Sequence, residues 1–426
     1  MNLNEIRAKI KDGGFNEAFK MLYSNTDIAS ARYLKAVDEF QKLYGDSDNI
    51  RIFSAPGRTE VGGNHTDHQH GKVLAGSVDL DVIAIVAAND SGIVRIKSEG
   101  YPMDEICVDD LQINEGEYGK AAALIRGVCA AFKNNGYNIG GFDAYTTSNV
   151  LKGSGLSSSA AFEVLVSNII NGVYNDGKVD CVSIAKYSQF AEREYFGKPC
   201  GLLDQMASSV GGFTYADFND PKNPVIEKID LDLAKSGCTL CVVDTGGNHA
   251  NLTGDYADIT VECRSISNHF GMDFLRDVNP VDFFENISVL RCKYGDRAVL
   301  RALHFFNEDD RAEKEKLALK KGDFKEFLKL VNESGDSSFK YLQNVYSVSD
   351  VHEQGIALAL ALTEQYLKGT DKGAYRVHGG GFAGTIQVFM PNELLNGYKN
   401  TIEKAFGKGS CYVLNIRPVG GYELKK

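Results

Sequence analysis

The sequence predicts an α+β fold in two lobes, and three observations carry that prediction. Short β-branched runs and amphipathic stretches of 3.6-residue period follow one another without the strict alternation of a βαβ fold. The pattern restarts after Gly211-Gly212. The 426 residues are enough for two or three domains at roughly 150 each. The lobe boundary falls near residues 212–225. The division is an N-terminal helical extension over 1–45, a first lobe over 46–215 and a second lobe over 216–426.

The elements follow in order. The first thirty-odd residues read as one or two short helices, followed by a helix from Tyr33 to Tyr44. IRIFS (50–54) reads as a strand, and the β-branched run 73–88 as paired strands. Asn89-Asp90-Ser91-Gly92 is a turn into a strand over 92–98. Lys120 to Lys133 is an amphipathic helix closed by Asn134-Asn135-Gly136. A strand at 141–147 leads into a Gly/Ser loop and a helix from Ser159 to Tyr174. Another helix, Cys181 to Phe196, stops at Gly197 with Pro199 just beyond. Strands are expected at 213–217, 225–231 and 238–244, then helices from Tyr256 to Lys368. The end reads strand (374–378), glycine loop, strand (384–390), helix (391–406), strand (411–417).

Composition excludes several classes. At 43% hydrophobic and 24% charged the chain is globular rather than disordered. A net charge of −11 repels a phosphate backbone, so nucleic acid is not an expected partner. No stretch nears the ~18 unbroken apolar residues of a membrane helix, and the opening MNLNEIRAKIKDGG has no apolar signal-peptide core. A cytoplasmic protein is expected. The nine cysteines are scattered and read as small buried hydrophobes. The one C-x-x-C, Cys238 to Cys241, sits in an apolar run suited to a strand. Oligomeric state leaves no signature in the sequence.

Three segments are candidates for chemistry. Lys152-Gly153-Ser154-Gly155-Leu156-Ser157-Ser158-Ser159 follows a strand and opens a helix. Its glycines admit a close anion, and hydroxyls and free first-turn amides point at it. The plainer alternative is a serine-capped helix start. The second segment, Ala55 to Gly71, concentrates three of the eight histidines, His65, His68 and His70, with Arg58, Glu60 and Asp67. A binding loop, a metal-hydrolase site and a solvated turn are its three readings. In the third, Glu192 ends a helix and Asp204 follows a Gly/Pro break. They could share cation and proton duties, though by themselves they read more simply as surface acids. The G-x-G-x-x-G at Gly379–Gly384 runs into a strand, so it is not a dinucleotide fingerprint.

Taken together the motifs resemble the galactokinases, within the GHMP small-molecule kinases (galacto-, homoserine, mevalonate and phosphomevalonate kinases). APGR with the later HTD, GSGLSSSAA, KPCGLLDQMAS (198–208), the Val377–Gly384 glycine loop and Asn415-Ile-Arg417-Pro-Val-Gly-Gly occur in the family order, across about residues 45 to 420. The resemblance implies two lobes with mixed sheets, ATP and a sugar in the cleft, and γ-phosphoryl transfer to the anomeric hydroxyl of galactose. It also implies site roles. Asp204 would act as base or orienting group, with Arg58 beside it stabilising charge. Ser159 and Glu192 would hold Mg2+, and Gly153 to Ser159 would cradle the ATP phosphates. Glu60, Asn64, His65, Asp67, Gly201 and Tyr256 would bind the sugar.

The resemblance has one marked departure. The family loop reads G-R-V-N-L-I-G-E-H-T-D-Y, and here the asparagine is Glu60 while the glutamate is Asn64. Either the two groups have traded places with the sugar still held, or the substrate is another pyranose, such as N-acetylgalactosamine or a sugar acid. A non-catalytic sugar and ATP sensor is the remaining alternative.

Overall fold

The computed structural model describes residues 1–150, 155–231, 233–247 and 252–425. Its strands are β1 (Arg51–Gly62), β2 (Lys72–Ala88), β3 (Ile93–Ser98), β4 (Met103–Cys107), β5 (Phe142–Ser148), β6 (Phe213–Asp217), β7 (Val225–Ile229), β8 (Cys238–Asp244), β9 (Ala374–His378), β10 (Thr385–Pro391), β11 (Cys411–Leu414) and β12 (Tyr422–Glu423). One sheet runs β12-β1-β2-β5-β3-β4, with β6 also on β2 and β7 on β6. Its β3–β5 pair is parallel and the rest are antiparallel. The second sheet, β11-β8-β10-β9, is antiparallel throughout. The α+β class with a mixed sheet is therefore met.

Several elements differ from expectation for physical reasons. The run 73–88 is one 17-residue strand, because different partners complete its two halves. β6 pairs with residues 72–76 and β5 with 82–88. The strand expected at 50–54 continues to Gly62. Pro56 cannot donate to a ladder, but it stands where the β1–β2 register shifts, and its carbonyl accepts from Ser208 Oγ at 2.7 Å. Helix Cys181–Phe190 ends in a single π turn, Ala191–Tyr195, a feature common at functional sites. A helix over Leu203–Val210 and strands β4 and β12 have no counterpart in the sequence prediction. The helix predicted at 391–406 starts at Leu395, and the strand predicted at 411–417 ends at Leu414.

The first 45 residues hold three helices, Leu3–Lys11, Asn16–Leu22 and Thr26–Tyr44. The third begins at Thr26, not Tyr33, because the Asn25 carboxamide caps it by accepting from the Ile28 amide at 3.0 Å. Leu3, Ile6, Phe19, Tyr33 and Phe40 share a core with Ile52, Ile83, Ile85 and Tyr145 of the first sheet. The segment therefore covers a sheet face, and an ion pair at 2.5 Å from Arg32 to the buried Asp81 anchors it. On the other face helix Ser158–Asn175 packs against β1. That packing aims the helix N-terminus and the end of β1 at the same region.

Candidate active site

Arg58 ties the first segment to the other two. It lies on β1, and its amide donates to the Leu156 carbonyl at 3.0 Å. Its Nε and Nη2 both reach Asp204 Oδ1 at 2.7 Å, while Nη1 donates to the Gly155 carbonyl. The second oxygen of Asp204 accepts from Ser157 Oγ. Arg58 is buried, while the Asp204 side chain keeps 32% of its surface exposed. Burial alone would raise the Asp204 pKa, but Arg58, the Ser157 hydroxyl and Lys198 outweigh it and hold the carboxyl below its usual value. Asp204 is thus an ionised, oriented carboxylate.

The phosphate-loop candidate is shaped by left-handed backbone. Gly155 has φ +70°, and a Cβ there would stand 3.1 Å from His378 Nδ1. Ser157 has φ 56° without being glycine, a conformation kept only where surroundings impose it. Ser157 makes no capping hydrogen bond to the helix it precedes; its hydroxyl goes to Asp204 instead. Simple capping therefore does not account for this serine. Leu156 is buried, and Ser158 and Ser159 form the first turn of the helix. Gly153 and Ser154 lie outside the described residues.

Ser159 Oγ donates to Glu192 Oε1 at 3.1 Å. Glu192, in the π turn, also receives Lys198 Nζ at 2.8 Å and Gln205 Nε2 at 2.6 Å. Gln205 bridges onward to Glu163 at 3.1 Å. Glu163 is fully buried, with Oε1 lacking a hydrogen-bond partner. Burial, and next the charge of Glu192, hold its carboxyl well above the ordinary range. A hydroxyl and a carboxylate at this spacing are the hard oxygen donors that Mg2+ prefers, with remaining positions left to phosphates and water.

The sugar-loop candidates split into two groups. Asn64 is wholly buried and saturated. Its amide nitrogen donates to Glu60 Oε1 at 2.7 Å and to the Gly379 carbonyl at 2.8 Å. Its Oδ1 accepts from Asn344 at 2.9 Å and Ser338 at 3.4 Å. Glu60 is ion-paired with buried Arg376 at 3.0 Å, again through Oε1, and no described residue bonds Oε2. Burial raises the Glu60 pKa, against the opposing pull of Arg376 and Arg58.

His65 (φ 58°) donates from Nε2 to the Gly380 carbonyl at 2.9 Å. Asp67 lies directly under Gly201, where a Cβ would come within 1.8 Å of its Oδ2. Glycine is therefore required at 201. Burial, then the neighbouring charge of Asp204, push the Asp67 carboxyl up to about 6. Tyr256 donates to the Gly381 carbonyl at 2.8 Å and packs edge-on against Phe382. It holds the glycine loop that His65 and Asn64 also contact.

The other two histidines of the segment take separate paths. His70 stacks on Phe274 with ring centroids 3.6 Å apart. His68 is driven down to about 3, first by burial. Among the described residues no three His, Cys, Asp or Glu side chains converge as a metal site. Cys238 and Cys241 both lie on β8, and all nine cysteines are free thiols.

Sequence reasoning missed Lys198, Gln205, Glu163, Arg376, His378, Asn344, His304 and Glu308. Three had a signal, since Lys198 and Gln205 lie in the KPCGLLDQ segment and His378 in the Val377–Gly384 glycine loop. The others come from distant helices and strands that only folding brings near.

The chain is similar to known proteins over most of its length. Residues 38–88 match the galactokinase galactose-binding signature, and residues 123–212 match the GHMP kinases N terminal domain. A galactokinase of Streptomyces coelicolor is 31% identical over 371 residues, 87% of this chain and 92% of that protein. A galactokinase of Bacillus subtilis is 27% identical over 402 residues, 91% of this chain and 97% of that one. The fold matches the crystal structure of Lactococcus lactis galactokinase complexed with galactose, with TM-score 0.77 at 22% identity over 92% of this chain and 99% of that one. It also matches Methanococcus jannaschii mevalonate kinase, with TM-score 0.61 at 14% identity over 86% and 98% of the two chains. The chain belongs to the galactokinase family, the ATP-dependent sugar 1-kinases of the GHMP-kinase fold.

Proposed function

We propose that this protein transfers the γ-phosphoryl group of ATP to the anomeric hydroxyl of galactose in the cytoplasm. No helix among the described residues is long and apolar enough to cross a membrane. The observation that supports the assignment most strongly is the Arg58–Asp204–Ser157 link, which joins the phosphate loop to β1 and to the segment whose Gly201 abuts Asp67. Phosphoryl transfer asks for positioning and charge neutralisation more than for covalent help. Ionised Asp204 accepts the sugar hydroxyl's hydrogen and aims its oxygen. Arg58 keeps that carboxylate charged and offers positive charge beside the reacting groups. The amides of Gly155 to Ser159 and the Ser158 hydroxyl receive phosphate oxygens, while the Ser157 hydroxyl stays with Asp204. Ser159 and Glu192 would hold Mg2+, which neutralises phosphate charge when bound.

The Glu60/Asn64 exchange is read as compensating. Asn64 has both N–H donors spent on protein acceptors, so it has none left for a sugar. Glu60 keeps one carboxylate oxygen unbonded by the described residues, near Arg58 and His65. Glu60→Gln is expected to lower kcat/KM for galactose about tenfold, the loss of one charged hydrogen bond, with KM for ATP unchanged. Wild-type kinetics from this variant would remove Glu60 from the sugar site.

A pH profile gives a second check. Asp67 binds sugar hydroxyls best when ionised, and its carboxyl protonates at about 6. Affinity is therefore complete above that pH and lost as pH falls through it. Asp204, held low, contributes no limb there. The kcat/KM for sugar should bend downward below pH about 6, and the bend should vanish in Asp67→Asn.

The overall test is ADP release with magnesium-ATP across galactose, N-acetylgalactosamine, glucose, arabinose, galacturonate and no sugar. Turnover with galactose alone supports the proposal. Turnover with another sugar re-aims the loop and keeps the chemistry. ATP binding without turnover on any sugar points to a sensor.

A further inference from the structure

We propose that His304 and Glu308, on helix Asp296–Lys321, are positioning residues that clamp the sugar loop and set affinity for the sugar but not for the nucleotide. This rests on the reading above that the loop from Gly63 to Asp67 contacts the sugar.

The clamp is visible in the backbone bonds. Glu308 Oε1 accepts from the amides of Gly63 at 3.1 Å and Asn64 at 3.4 Å. His304 Nε2 donates to the Asn64 carbonyl at 2.9 Å. The N–H and C=O groups of Asn64 are thus both held from one helix, some 240 residues away in sequence. The grip falls where the loop needs it. His65 has φ 58° without being glycine, and such backbone persists only when neighbours impose it, whereas Gly63, at φ +79°, adopts it freely. A Cβ on Gly63 would stand 2.3 Å from the Lys72 carbonyl. Asp67 and His65, the groups assigned to the sugar, hang directly on this segment.

A second layer holds the clamp in place. Ser337 Oγ donates to His304 Nδ1 at 2.9 Å, which fixes the tautomer with hydrogen on Nε2. Ser334 Oγ donates to Glu308 Oε1 at 2.5 Å, and Arg311 pairs with Oε2. His304, Glu308, Ser334 and Ser337 are all buried. Burial pulls His304 down to about 4. Burial would raise Glu308, but Arg311, His304 and Arg376 bring it to about 2. Near neutrality the pair is therefore one neutral donor and one anionic acceptor. Polar groups this deep are costly unless fully bonded, and every bond they make goes to the loop or to the residues behind them. None goes to the described phosphate-loop residues, Gly155 to Ser159.

The test uses the full chain and two readouts. Amide hydrogen exchange over residues 63–67 reads the clamp without substrate, and initial rates read its effect on each KM. Exchange should quicken in His304→Ala and in the milder Ser334→Ala. In His304→Ala, KM for the sugar should rise about tenfold, the cost of stranding one buried carbonyl, with KM for ATP unchanged. His304→Gln, whose side-chain N–H can reach the same carbonyl, should recover part of the loss. Should His304→Ala not fold, Ser334→Ala and Ser337→Ala carry the same criteria. Unchanged exchange, an unchanged sugar KM or an equal rise in both KM values would overturn the clamp. If wild-type protein ignores galactose, the substrate proposal fails by itself. Exchange then judges the clamp, and the KM split is read with the sugar that does support ADP release.

Discussion

Asp204→Asn is expected to lower turnover about a thousandfold, within the range seen when a positioned proton acceptor is removed. The side chain keeps its size, so KM for both substrates should move little. Three features argue for so large an effect. Among the described residues Asp204 is the one carboxylate bonded to both Arg58 and a hydroxyl of the phosphate loop. It is also held ionised against burial. And it retains exposed surface, as a group that must meet substrate does. An amide in its place carries no charge and turns a donor toward either Arg58 or Ser157, both already donors. ADP release under saturating sugar and ATP checks this, alongside a thermal melt. Turnover within tenfold of wild type, with the fold intact, would assign the proton acceptor elsewhere.

Arg58→Ala should cost a similar factor, about a thousandfold, near the lower end for arginines that stabilise charge in phosphoryl transfer. Here the variant has a second signature. Without Arg58 the largest opposing influence on the Asp204 carboxyl is gone, and burial raises its pKa against only the Ser157 hydroxyl and Lys198. The acid limb that Asp204 itself sets on turnover should therefore move to higher pH than in wild type. Arg58→Lys keeps the charge but not the planar fork that reaches Asp204 and the Gly155 carbonyl together. It should recover only part of the rate. An Arg58→Ala profile with an unshifted acid limb would separate the arginine from Asp204.

Much of the fold was legible locally. β9, β10 and helix Ala121–Asn134 fall where β-branched runs and 3.6-residue periodicity place them. Those patterns report one buried face, which neighbouring residues alone define. Elements whose limits depend on distant partners were misread. β1 outruns its local signal, and β2 is one strand where a pair was expected, because strands far along the chain complete their ladders. Helix Leu203–Val210 follows a Gly/Pro break, and local punctuation does not reveal that the chain turns helical again there.

The candidate site divides in the same way. The amino-acid sequence by itself singled out candidates for the chemistry: Arg58, Asp67 and the serine run stand out from their surroundings, whereas Glu192 and Asp204 read as surface acids until the family resemblance gave them roles. Tertiary structure alone decided how they are used. Asn64 and Glu60 look interchangeable as letters. Asn64 is spent on Asn344, Ser338 and Gly379, whereas Glu60 faces Arg376 with an oxygen to spare. Glu308, His304 and Glu163 sit on helices with no outward sign of function. The reason is physical. Side-chain type and spacing are local properties, but burial, hydrogen-bond saturation and the pKa shifts that follow depend on partners up to some 300 residues apart, and only the folded chain brings those together.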